Sequence, residues 1–286
     1  MFKAFFIGLL LFSVSGSVFA QQAENTKKLR IIALAPHIVE NLFAIGAGDN
    51  IVGTVDYADY PTQAQSIERI GGYYGISLEK VLALKPDLVI AWKSGNQSED
   101  LAQIERLGIN VYLSDPTTID GVADELLTFG EFTGNVEQSQ QVANTFITKL
   151  ERIKKQQQGK KIITAFYQLW PEPMMTVNKN TWISQLMQTC HTENVFAENA
   201  TDYPQISIEN VIITKPQVII IPDEKSKTPQ PIVNWQKWPE VPAVKNNQFI
   251  SVNADLLHRF TPRMLDGLAD MCDKIDASRK QIKSTQ

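Results

Sequence analysis

Three histidines, His37, His191 and His258, are the whole imidazole complement of this chain, and they lie far apart in the sequence. A zinc site or an acid–base pair built on histidine needs partners at i, i+4 on a helix or across a short loop. None of the three has one. There is no Gly-x-Ser-x-Gly elbow, no Gly-x-x-x-x-Gly-Lys-Ser/Thr loop and no His-Glu-x-x-His pair. The sequence thus points away from catalysis, with no catalytic residue, metal or cofactor expected. A cage assembled from the three dispersed histidines is the remaining metal-binding or enzymatic reading.

What the chain offers instead is aromatic side chains where strands end. Tyr57 and Tyr60 follow one strand-like run, Tyr73 and Tyr74 sit in a glycine-flanked loop, and Trp92 ends another run. Tyr167 and Trp170 close a third, and Tyr203 precedes a helix-like segment. In open α/β sheets the loops at the carboxyl ends of strands line the ligand crevice. Rigid rings there suit a large, flat, partly apolar guest, because each buries much area at little entropic cost. For each ring the alternative is ordinary core or rim packing. Only Arg259 and Arg263 stand out as groups that could meet an anionic guest such as a ferric chelate.

These residues hang on a regular alternation of elements. Leu29–Ala35, Ile51–Val55, Asp87–Trp92 and Ile109–Leu113 read as strands, separated by helical patterns after Pro36, after Ser77 and over Glu99–Leu107, with another over Ile119–Phe132. Lys161–Tyr167, Gln217–Pro222 and Phe249–Val252 repeat the strand pattern, with helices over Trp182–Cys190 and Pro262–Ile275. Ser77 to Trp92 is echoed by Ser207 to Pro222, 130 residues on. Ser, Glu, Val, Lys, Pro and Ile recur in register. A capped helix, a Lys-Pro stop and a buried strand are thus used twice. Shared βα grammar alone could produce the echo; two lobes of like architecture explain it more fully. Glu79 and Glu209 are equivalent in it, each in a first helical turn where the dipole favours a carboxylate. They also form a pair, one per lobe, able to meet paired basic groups on a two-fold partner. Between the halves, Val142, Phe146, Ile147, Leu150 and Ile153 recur at helical spacing in a stretch without Gly or Pro. The predicted fold is therefore α/β: two Rossmann-like lobes with mainly parallel sheets, 29–134 and 159–277. One long rigid interlobe helix, 135–158, joins them and limits closure of the cleft.

The first 20 residues read as a cleavable export signal. Lys3 precedes an apolar stretch from Phe5 to Phe12, and Val18-Phe19-Ala20 fits the small-residue cleavage rule, leaving Gln21 first. No cysteine stands there to carry a lipid, so a freely diffusing protein of a closed compartment, a periplasm, is expected. Removing 20 of 286 residues leaves 266, room for two domains. Loss of Lys3 takes the net charge from −4 to −5, which argues against nucleic acid as a partner. Cys190 and Cys272 are the only cysteines. In an oxidising compartment they read first as a disulfide within the second half, and otherwise as two buried thiols.

The chain resembles the periplasmic cobalamin-binding proteins of ABC import systems, within the helical-backbone class of substrate-binding proteins that also carry siderophores and haem. Asp56-Tyr57, Tyr60-Pro61 and Ser77 to Trp92 carry the resemblance, with Cys190, Glu193 to Phe196, Tyr203 to Ser207 and Thr261-Pro262-Arg263 in the second half. It implies a monomeric receptor that captures cobalamin or a related corrinoid between its lobes and delivers it to the importer's permease dimer. It implies ligand contacts from Tyr57 and from Asp255, Leu256, Leu257, His258 and Arg259. With the aromatic pattern it makes Tyr73, Trp92, Trp170 and Tyr203 the other candidates. Glu79 and Glu209 fall on the glutamates that dock onto permease arginines, and Cys190 with Cys272 on the family disulfide. Tyr73, Tyr203 and Leu256 stand where tryptophans are usual, and His258 where an acid is usual, which opens the option of an imidazole facing cobalt. Haem or a ferric siderophore is the alternative cargo.

Overall fold

The computed structural model describes residues 28–223 and 232–285, so the expected export signal lies outside the described residues. The first half builds β1 (Ile31–Ala33), α1 (Pro36–Ala44) and β2 (Ile51–Thr54), then a hairpin of β3 (Gly71–Gly72) and β4 (Gly75–Ile76). After it come α2 (Leu78–Leu84), β5 (Leu88–Trp92), α3 (Ser98–Arg106), β6 (Asn110–Ser114) and α4 (Gly121–Thr133). A 22-residue helix, α5 (Val136–Gln157), leads to the second half. There β7 (Ile163–Tyr167), a hairpin of β8 (Trp170–Pro171) and β9 (Met174–Met175), α6 (Trp182–Thr189) and β10 (Thr192–Asn194) precede α7 (Ile208–Thr214). β11 (Val218–Asp223), α8 (Pro242–Lys245), β12 (Phe249–Asn253), α9 (Ala254–Leu257) and α10 (Met264–Thr285) complete the chain.

Each half makes one parallel four-stranded sheet, in the orders β2-β1-β5-β6 and β10-β7-β11-β12. The orders are the same: the second strand in sequence lies outermost, beside the first. Alternation along β1 explains why both faces are covered. Ile31 and Ala33 join the core shared with α1 and α4, and Ile32 joins the one under α2 and α3. A strand buried on both faces must be apolar throughout, and this one is.

The sequence echo is structural. Ser77 and Ser207 cap α2 and α7, each hydroxyl accepting the backbone N–H three residues on at 3.4 Å. Lys85 and Lys215 both end their helices in the left-handed region, with φ of 47° and 48°. The strand that follows is third in its sheet in both halves.

The joining helix behaves as a rod. At 1.5 Å per residue α5 is ~33 Å long. Its Ala143, Phe146, Leu150 and Ile153 belong to one continuous core with Ile31 and Ile90 of the first half and Ile163 and Ile220 of the second. Lys149 pairs with Asp266 of α10 to fasten its outer side. The disulfide is as expected, and the lengths of some elements are not. β10 and the two hairpins were not anticipated, being only two or three residues long, too short for a periodic signal. α10 runs ten residues beyond Ile275, because Ile282 continues its buried stripe. Cys190 and Cys272 form a disulfide that ties the end of α6 to α10, closing 82 residues within the second lobe.

Candidate functional site

Parallel strands send all their carboxyl ends to one edge, and the two edges face each other. The bonds between the lobes come from loops and helix starts at these edges. Gln185 of α6 accepts the Ile119 N–H at 3.3 Å and donates to the Thr117 carbonyl at 2.9 Å. Asn41 of α1 donates to the Phe260 carbonyl at 2.9 Å. The two-lobe fold predicts a cleft beside these bonds.

Its floor is a chain of rings running from one lobe to the other. Trp92 at the end of β5 meets the edge of His37 at 5.5 Å between centroids, and His37 meets Phe260 at 5.9 Å. Phe260 packs on Trp182 at 4.6 Å, and Trp182 reaches Tyr203 at 6.4 Å. His37 and Phe260 are buried; Trp92 and Trp182 are partly exposed and Tyr203 is exposed. Local structure fixes the ends. Asn96 accepts the Trp92 N–H at 2.7 Å and donates to the Leu34 carbonyl. Gly95 lies so close to the indole that a Cβ there would sit 1.9 Å from it, so only glycine fits. Trp182 follows the cap Thr181, and its indole N–H is held by the Leu257 carbonyl at 3.0 Å.

The rim carries exposed rings. Tyr57 is 73% exposed and holds φ of 63°, a left-handed conformation that costs a tyrosine about 1–3 kcal/mol. Its carbonyl accepts from Asp59 at 3.0 Å and from Arg259 at 3.4 Å, which holds the strained turn. Tyr73 is 79% exposed at the tip of the β3–β4 hairpin, edge-on to Tyr74 at 5.6 Å. Gly71 makes that hairpin possible, since a Cβ on it would meet the Gly75 carbonyl at 2.2 Å. The Tyr74 hydroxyl donates to Asp56 at 2.9 Å, and the bond raises its pKa. Burial, with Asp202 nearby, pushes Tyr203 up to about 12, so its phenol stays neutral. A separate cavity of about 620 Å³ under the hairpin is lined by first-lobe residues alone and does not span the lobes.

Beneath Tyr57 lies an ion cluster that joins the lobes. Arg263 grips the Glu40 carboxylate with two parallel bonds, at 2.9 and 3.0 Å, and Arg259 binds it at 2.7 Å. Arg259 also reaches Asp59 at 2.9 Å and Asp255 at 3.4 Å, and Arg263 stacks on the Tyr60 ring at 3.5 Å. The Glu40 side chain is 2% exposed and that of Arg259 12%. Burial works against the Arg259 charge, but its bonds to Glu40 and Asp59 prevail and raise its pKa.

Several expected contacts sit differently from the reading of the sequence. Arg259 is spent on carboxylates and a carbonyl. Leu257 is buried in the core and offers only its carbonyl, already taken by Trp182. Burial pushes His258 down to about 4, against the pull of Asp255, so it is neutral. Its Nε2 lies 2.9 Å from the buried Tyr167 hydroxyl. A bond to cobalt through that nitrogen would have to displace Tyr167. Trp170 joins no ring chain among the described residues, and its indole N–H turns onto the Glu172 carbonyl of its own hairpin at 3.0 Å. Leu256 is half-buried against Gly267. Glu40, His37, Trp182 and Phe260 were missed. Trp182 carried a readable signal, an aromatic directly after a helix cap; Glu40 is defined by the arginines of the partner lobe, and His37 and Phe260 by ring contacts between residues distant in the chain. The three histidines bond separately, His37 to Ser114 at 3.1 Å and His191 to the Lys160 carbonyl at 3.0 Å. Among the described residues no group of three or more His, Cys, Asp or Glu is placed to hold a metal ion.

Glu79 and Glu209 are exposed in the first turns of α2 and α7. The Ser207 hydroxyl and a backbone N–H lower the pKa of Glu209, keeping it ionised.

The chain is 38% identical over 256 residues to the vitamin B12-binding protein of Vibrio cholerae, covering 88% of this chain and 91% of that one. The crystal structure of the periplasmic vitamin B12-binding protein of V. cholerae superposes with a TM-score of 0.81 at 37% identity, covering 88% and 98%. A periplasmic haem-binding protein of V. cholerae shares the fold alone, with a TM-score of 0.75 at 16% identity over 86% and 98%. These relatives are binding proteins rather than enzymes. The periplasmic binding protein family model matches residues 31–256, and the chain belongs to that family.

Proposed function

We propose that this chain captures cobalamin or a related corrinoid in the interlobe cleft and delivers it, in the periplasm, to the permease dimer of an ABC importer. The observation that carries the reading is the chain of rings from Trp92 to Tyr203, which crosses both lobes above a cation pair already neutralised by carboxylates. Such a floor offers stacking and apolar area to a broad ring, and little to an anionic chelate. The similarity to B12-binding relatives over most of the chain supports the same cargo.

In this reading 29–134 and 159–277 are the lobes, and the rod between them keeps the cleft preformed. Cleavage follows Ala20, and the mature monomer starts at Gln21. Tyr57, Tyr73, Trp92 and Tyr203 contact the ring, with Trp182 added to them. Asp255 and Leu256 border it, and Leu257, His258 and Arg259 shape the floor from below. Glu79 and Glu209 meet basic residues of the permease, one per subunit.

Calorimetry and tryptophan quenching with cyanocobalamin test the cargo. One site of micromolar or tighter affinity is expected, weakened about tenfold or more by Trp182→Ala, since a stacked ring contributes roughly 1–2 kcal/mol. No association at micromolar concentration overturns the assignment. Delivery is tested by Glu79→Ala with Glu209→Ala, which should spare cyanocobalamin affinity and reduce uptake in cells; normal uptake overturns the docking role.

A further inference from the structure

Arg259 and Arg263 are the groups with which this cleft could have held a carboxylate-bearing ligand, and they meet Glu40 instead. Glu40 comes from the opposite lobe, at 2% exposure, and takes both bonds of the Arg263 fork and one from Arg259. Asp59 and Asp255 occupy further edges of Arg259. The cluster thus holds two positive and three negative charges and is net negative. It lies directly beside Phe260 in the ring floor and below the exposed Tyr57 on the rim.

We propose that Glu40 determines the charge selectivity of the cleft, cancelling its two arginines so that it admits an uncharged broad ring and turns away one bearing carboxylates. The proposal rests on the reading that a flat ring lies on the aromatic floor. Glu40 takes the Nε/Nη2 edge of Arg263 and one Nη1 bond of Arg259, Asp59 and Asp255 take further donors of Arg259, and the three carboxylates outweigh the two guanidinium charges. An incoming carboxylate therefore meets the field of a net-negative group in a partly desolvated place, where charges are weakly screened. Removing one negative charge some 5–8 Å from a ligand carboxylate, at an effective dielectric of about 20, changes affinity by about tenfold or more. A neutral ligand feels almost none of that change. A purely structural role for the cluster would alter stability and leave the preference between the two ligands where it was.

The test uses the mature protein with haemin, whose two propionates make it the carboxylate-bearing ring, and cyanocobalamin as the net-neutral ring without carboxylates. Both are titrated into the wild type, Glu40→Gln and Asp59→Asn, by tryptophan quenching and by the haem absorption band. Glu40→Gln should tighten haemin at least about tenfold and move cyanocobalamin less than about threefold. Asp59→Asn should act in the same direction by a smaller factor, because its carboxylate is 57% exposed. Added salt should shrink both gains. Unchanged haemin affinity in both variants overturns the proposal, as does a wild type that already binds haemin as tightly as Glu40→Gln does. Should Glu40→Gln fail to fold, haemin binding to Asp59→Asn decides alone. A wild type that ignores cyanocobalamin defeats the cargo reading, while the haemin ratio between variants still decides the charge rule.

Discussion

The first lobe supplies two of the three acids of the interlobe cluster, Glu40 and Asp59, and the second supplies both bases, Arg259 and Arg263, with Asp255 beside them. This division stands against a background of repetition. Both sheets have the same strand order, and α2 and α7 have the same length, the same serine cap and the same left-handed lysine at their ends. What the lobes share lies away from the ring chain. What they do not share lies on it or on the rim: the Tyr73 hairpin on one side, Trp182 and Phe260 on the other. Repetition built the scaffold, and its departures built the site. The disulfide is a further asymmetry, since it braces only the second lobe.

That brace gives the strongest way to break the pairing of lobes. Replacing Cys190 and Cys272 by alanine releases a loop of 82 residues in the unfolded chain. The chain-entropy cost is about 4 kcal/mol, and reducing the wild-type protein should reproduce it. Because one core runs from Ile31 through Phe146 to Ile220, the lobes should still melt together, in a single transition at lower denaturant. Two separated transitions would show that the rod does not couple them.

Buried titratable groups are also divided unequally. Glu125 of α4 and His37 belong to the first lobe, His258 to the second. Burial pushes the Glu125 carboxyl up to about 7, although Ser114 and Asn41 bond to its charged form. Burial, helped by Arg259, pushes His37 down to about 3, and burial holds His258 at about 4. Between pH 4.5 and 6.5, the ordinary values of the two residue types, the unfolded histidines take up protons that the folded ones refuse. Stability therefore rises with pH on their account. Glu125 opposes them, because its unfolded carboxyl ionises while the folded one stays neutral to about 7. Two contributions against one leave a rise of about 1.4 kcal/mol per pH unit from these groups. Glu125→Gln removes the opposing one. Urea denaturation across this range should find the slope about doubled, and the variant about 3 kcal/mol more stable above pH 7.5. An unaltered slope would mean that Glu125 is hydrated in the fold and that Asn41, which joins it to the Phe260 carbonyl, is not under its control.

Periodicity, caps and proline stops made the scaffold readable from the sequence, because α2, α5, α7 and the strands are specified by residues a few positions apart. The exposed rings Tyr57, Tyr73 and Tyr203 were readable for the same reason: each sits at a strand end or in a loop that the local pattern locates. Glu40 was not. Its sequence neighbourhood is an apolar helix, and its partners lie 219 and 223 residues away. Nor could Arg259 be told from a ligand-binding arginine, since only the opposing lobe decides whether a guanidinium is already occupied. The orientation of His258 and Leu257 is fixed by packing against Tyr167 and the core, which no local pattern states. Local pattern locates an element; what its side chains face is decided across the cleft.

The smallest expected effect probes the repetition most directly. Lys85 and Lys215 hold φ of 47° and 48° with ψ of 61° and 55°, so both carry the same left-handed conformation after the same helix length. That conformation costs a side-chain-bearing residue about 1–2 kcal/mol, whereas glycine adopts it freely at an entropic cost of about 0.5–1 kcal/mol. Lys85→Gly and Lys215→Gly should each stabilise the protein by about 0.5 kcal/mol. The double variant should gain the sum, because the two sites share no partner. Equal gains in urea denaturation would show that the lobes reuse one helix-ending device with one energy. A gain at Lys215 and a loss at Lys85, or the reverse, would show that tertiary contacts set these turns separately in each lobe, and that the repeated Lys-Pro is shared grammar without shared energetics.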